Sequence, residues 1–120
     1  MTTDPLAWVR AEMDEAEKEA EAARDGRDPE TWHVAERRSC ECCDAIRTDK
    51  GNLVVTVDSR ASDFIVRHDP AAVLRRIAAE RKVLDECEAA QNWDNWGAAS
   101  LADTVIRGVA EGWGWTEETV

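Results

Sequence analysis

Three groups of residues in this chain have types and spacings that could do chemistry. His68-Asp69-Pro70 sets an imidazole beside a carboxylate, a pair able to shuttle protons near neutral pH. Cys40, Cys42 and Cys43 form a compact thiol cluster that, joined by His33, would supply the sulfur and nitrogen ligands of a tetrahedral zinc site. Six tryptophans stand out in a chain with one Phe and no Tyr. Of these, Trp93, Trp96, Trp113 and Trp115 fall in or beside segments without helical periodicity, where an aromatic side chain can anchor a partner.

Each group also has an architectural reading. Neighbouring His and Asp side chains rarely converge, and an Asp followed by Pro opens a helix: the carboxylate accepts first-turn N–H groups while proline presets φ. Asp69 and Pro70 then act as helix cap and first turn, with His68 just outside. Zinc frames usually place ligands two to four residues apart on two arms, whereas these cysteines sit on one, so free or redox-active thiols are the alternative. Trp113 and Trp115 lie in a glycine-rich tail and either seal the end of a small core or present a docking surface.

The elements that must position these groups follow from periodicity. Asp4-Pro5 starts a helix whose Leu6, Val9, Met13, Ala16, Ala20 and Ala23 form one apolar stripe toward Gly26, opposite a strongly acidic face. Beyond Asp28-Pro29, the segments Trp32-His33-Val34-Ala35, Cys43 to Thr48 and Leu53 to Val57 carry the β-branched and aromatic content of strands. Asp49-Lys50-Gly51-Asn52 supplies a turn between the last two. Leu53, Val55 and Val57 are expected on one face, with Val54, Thr56 and Asp58 on the other. A short helix is expected from Ser59 to His68, then a long one from Pro70 with Val73, Leu74, Ile77, Leu84 and Cys87 inward. After a break at Asn92 to Gly97, a last helix would bury Leu101, Ala102, Val105, Ile106 and Val109 and end at Gly112 and Gly114. The expected fold class is α+β: an N-terminal helix, a three-stranded antiparallel meander, then short, long and final helices packed on one face, in a single domain spanning 1–120.

The totals bound the function. The chain has 120 residues, 26 acids against 15 bases and a net charge of -11. That field repels phosphate backbones, which argues against direct nucleic-acid binding. No apolar run reaches the length of a membrane helix and the N-terminus has no export-signal pattern, so a cytosolic location and reduced thiols are expected. No phosphate loop, nucleophile elbow or metalloprotease pattern occurs, so an enzyme is the lesser reading. The acidic first helix could instead mimic DNA toward a nucleic-acid-binding protein, and its apolar stripe leaves a homodimer open.

The string Phe64-Ile65-Val66-Arg67-His68-Asp69-Pro70-Ala71-Ala72-Val73-Leu74-Arg75-Arg76-Ile77 resembles the centre of a family of small actinobacterial and actinophage proteins catalogued as domain of unknown function 6221. The acidic helix around Ala7 to Glu15, the early Trp-containing strand and the Trp near the C-terminus are similar to that family too. Where many of its members have a second His, this chain has Phe64. The resemblance implies an actinobacterial or phage source and carries no activity. The expected function is therefore a noncatalytic protein–protein interaction or regulatory module acting through its tryptophans or acidic helix. A small zinc- or redox-responsive protein built on Cys40, Cys42 and Cys43 is the alternative; zinc is the one cofactor the residues suggest.

Overall fold

A computed structural model describes residues 4–23, 31–37 and 43–117. The element order is α1 (Pro5–Ala22), β1 (Trp32–Arg37), β2 (Cys43–Thr48), β3 (Leu53–Asp58), α2 (Ser62–Val66), α3 (Pro70–Gln91) and α4 (Trp96–Gly112). The three strands form one antiparallel sheet in the order β1-β2-β3. The α+β class and its element sequence are thus those that the periodicity predicts. The chain divides into two compact units, with boundaries after Glu17 and after Arg75.

One unit holds the first part of α1, the last part of α3 and all of α4. Asp4 begins α1 by accepting the Ala7 N–H on Oδ2 at 3.3 Å, as a first-turn acceptor should. Leu6, Val9 and Met13 are buried, as are Ile77 and Leu84 of α3 and Ala102, Ile106 and Ala110 of α4. An ionic seam joins α1 to α3. Arg10 reaches Asp85 at 2.9 Å and Glu88 at 3.0 Å, and Arg81 reaches Asp14 at 2.7 Å and Glu17 at 2.6 Å. Residues 10, 14 and 17 of one helix and 81, 85 and 88 of the other recur at helical spacing, and the pairing runs antiparallel.

The other unit holds the end of α1, the sheet, α2 and the start of α3. Its buried residues include Ala20, Ala45, Ile46 and Ala71, together with the polar Asp44, Thr48, Ser62 and Asp69. Helix α2 packs against β1 and β2, and Ser62 Oγ donates to buried Asp44 Oδ2 at 2.7 Å. Thr48 Oγ1 organises the β2–β3 turn by accepting from Lys50 N at 3.2 Å and Asn52 N at 3.1 Å, and Gly51 supplies the positive φ of +88° that the turn requires.

Several sequence expectations need correction. The β2–β3 register slips between Ile46 and Arg47, so that Val55 faces Ile46 while Leu53 faces Arg47. Adjacent β2 residues point to opposite faces, so this bulge shifts Leu53 relative to Val55; both are exposed, while Val54 and Val57 are half-buried. Helix α2 begins at Ser62 rather than Ser59 because Asp58 closes a turn first: its Oδ1 accepts the Arg60 N–H at 2.8 Å and its carbonyl accepts that of Ala61 at 2.9 Å. Cys87 is half-buried rather than core, and Leu101 faces solvent. The expected end of α1 near Gly26 lies outside the described residues.

Candidate functional site

The three chemically interesting groups take up different roles in the fold. Asp69 is 8% exposed, and both of its oxygens are engaged by backbone. Oδ1 accepts the Ala72 N–H at 2.8 Å, which caps α3, and Oδ2 accepts the Trp32 N–H at 3.1 Å, which ties the first residue of β1 to that cap. The carboxylate is a joint between strand and helix. The exposed His68 ring lies against Phe64 with centroids 4.6 Å apart.

His33 and Cys43 stand at opposite ends of the β1–β2 ladder. His33 pairs with Arg47, whereas Cys43 opens β2 beyond the Arg37–Asp44 pair. Four residue steps separate Cys43 from Arg47, roughly 13 Å of extended strand, so the sheet does not bring His33 to Cys43. Cys40 and Cys42 lie outside the described residues. Among the described residues, no three His, Cys, Asp or Glu side chains converge as a metal set.

The four tryptophans divide into two pairs. Helix α4 ends in a Schellman turn: Trp115 N donates to Ala110 O at 2.9 Å and Gly114 N to Glu111 O at 3.0 Å, with Gly114 at φ +108°. That reversal turns Trp115 back into the fold, where it is 4% exposed, with the Arg107 guanidinium 5.8 Å from its ring centroid. Trp113 is held by its indole Nε1, which donates to Glu80 Oε2 at 2.6 Å, and by Arg76, whose guanidinium lies 4.7 Å from the ring centroid. Both are occupied within the chain, so in this conformation Trp115 offers no face to a partner. Trp93 and Trp96 are the reverse, 58% and 86% exposed.

The geometry around Trp93 follows from how α3 stops and α4 starts. Asn92 Nδ2 donates to the Glu88 carbonyl at 3.1 Å, taking up one of the acceptors that a helix C-terminus leaves open. Three residues later Asn95 is the N-cap of α4, its Oδ1 accepting the Ala98 N–H at 3.0 Å. Between the two helices lies an open groove of about 290 Å³ lined by Glu86, Cys87, Ala90 and Trp93 on one side and Ala98, Leu101, Ala102 and Val105 on the other. Sequence periodicity assigns Leu101 to the core. In the fold the core takes only the line Ala102–Ile106–Ala110, and Leu101, one residue and about 100° around the helix from Ala102, is left 66% exposed on the groove wall. The signal available beforehand was the width of the α4 apolar stripe, broader than one packing neighbour covers.

One acid, Glu86, lines the groove, and the surrounding sequence adds others. From Val83 to Ile106 the chain contains Asp85, Glu86, Glu88, Asp94 and Asp103 and no Lys or Arg. Arg10 pairs with both Asp85 and Glu88, one cation against two carboxylates, and its hydrogen bonds and charge hold the Glu88 carboxyl below the ordinary carboxylate range. Arg107 pairs with Asp103 at 3.1 Å. The exposed Glu86 and Asp94 have no cationic partner among the described residues.

Neither the curated proteins nor the solved structures contain a match to this sequence. The model of a protein family does match, over residues 2–113 of the 120, and by that match the chain belongs to the family of unknown function DUF6221.

Proposed function

We propose that this protein is a noncatalytic interaction module that binds a partner protein through the apolar surface at the α3–α4 junction. The observation that carries the reading is the exposure of Trp93, Trp96 and Leu101, three large apolar side chains in one short stretch of chain, two of them on the wall of one groove. Leaving such groups in water forgoes roughly 1.5–3 kcal/mol each relative to burial, and clustered exposed apolar surface typically marks a site of association. Tryptophan suits the role, since it covers a large area with little loss of rotamer freedom. The reading takes the protein as cytosolic and of actinobacterial or phage origin. Among the described residues no helix is long and apolar enough to cross a membrane.

Affinity copurification of the full-length protein from an actinobacterial lysate, with a Trp93→Ala/Leu101→Gln variant alongside, tests it. A specific partner lost in the folded variant supports the reading. No partner, or one retained by the variant, overturns this site. Trp115→Ala is unsuitable here because removing a buried tryptophan perturbs folding itself.

A further inference from the structure

The chemistry of the groove specifies the kind of segment that would fill it. We propose that the groove between the C-terminal half of α3 and α4 receives a cationic amphipathic helix of a partner protein, its apolar residues against Trp93, Leu101 and Val105 and its lysines or arginines over Glu86 and Asp94. The inference rests on the interaction-module reading and names the partner's chemistry. The groove runs between two helices and its walls are mostly apolar, the surface into which an amphipathic helix lays anchors spaced at i, i+3, i+4 and i+7.

Charge then selects among occupants. Every charged residue from Val83 to Ile106 is an acid, and Glu86, on the groove wall, and Asp94, next to Trp93 in sequence, have no cationic partner among the described residues. A positive segment gains from both and is steered by the -11 net charge of the whole chain. A second copy would bring the same charge and the same acids to the contact, so self-association by this face is opposed. Polyanions are repelled for the same reason.

The test measures fluorescence anisotropy of synthetic helical peptides with the full-length protein. Three peptides share one leucine stripe and carry lysine, glutamine or glutamate on the polar face; a fourth has the lysine composition in scrambled order. The expected result is saturable binding of the amphipathic lysine peptide alone. Its affinity should fall about tenfold or more as salt rises from about 0.05 to about 0.5 M, and about tenfold or more in Leu101→Gln. Leu101 is exposed, so this variant should keep the wild-type circular dichroism, and Glu86→Gln/Asp94→Asn should flatten the salt dependence. Equal binding of the scrambled peptide overturns the proposal, because charge alone then explains it. Leu101-dependent binding of the glutamine or glutamate peptide also overturns it, while leaving an interaction groove in place. Self-association abolished by Leu101→Gln assigns the groove to a second copy and overturns it likewise. If no peptide binds, the proposal fails, and the copurification decides separately whether an interaction module remains.

Discussion

Asp69 is the residue whose removal should be felt most clearly in the sheet-containing unit, and its two bonds can be separated. Asp69→Ala deletes the N-cap of the 22-residue α3, a loss of about 1 kcal/mol. It also removes the charge-assisted bond that the half-buried Trp32 N–H makes at 3.1 Å, for roughly 1–3 kcal/mol more. The sum, about 2–4 kcal/mol, is a sizeable part of the ~6–18 kcal/mol expected for a chain of 120 residues. Asp69→Asn divides the effect. Its carbonyl oxygen can still cap Ala72, but its amide then opposes the Trp32 N–H donor to donor, so only the second contribution should be lost. Urea unfolding followed by far-UV circular dichroism reads both variants. With a slope of about 2 kcal/mol per M, the alanine variant should lower the midpoint by about 1–2 M, and the asparagine variant should fall between it and wild type. An alanine variant within about 0.5 kcal/mol of wild type would refute the joint. An asparagine variant as unstable as the alanine one would show that the cap itself contributes nothing.

Two further outcomes follow from single residues. Trp115 is buried, and its indole Nε1–H has no hydrogen-bond partner among the described residues. Trp115→Ala should therefore cost about 3–5 kcal/mol in urea unfolding, whereas Trp115→Phe removes the orphaned donor along with part of the ring and should cost less than about 2 kcal/mol. Asp58 is held down to about 2 by the Arg60 side chain and then by its backbone N–H. A depressed carboxyl contributes stability that is complete above its unfolded value of roughly 4 and is lost as pH falls from there toward the folded value. An NMR titration of the Asp58 carboxyl should show that low midpoint, and Arg60→Gln should move it upward; a midpoint unmoved by Arg60→Gln would remove the pair as its cause.

How much of this was legible beforehand depends on the range of the forces involved. The starts of α1 and α3 are written in Asp4-Pro5 and Asp69-Pro70, because a side-chain acceptor and a preset φ act within one turn of chain. The strands and their antiparallel order are similarly local, set by β-branched content and a four-residue turn. The family resemblance rests on the same contiguous string. The candidate site is another matter: its residues were visible as types, but which tryptophans face solvent was not.

Tertiary structure decided that division, through contacts distant in sequence. Trp113 is clamped by Glu80 across 33 residues, and Asp69 finds Trp32 across 37. Whether Leu101 or Ala102 turns inward depends on where α4 meets its neighbours, since periodicity marks an apolar stripe without saying how much of it will be covered. Sequence by itself therefore determined the elements, the acidic charge and the family of this protein. Packing alone chose which apolar residues became core and which became the wall of a groove, because burial is a property of the surface that two elements share.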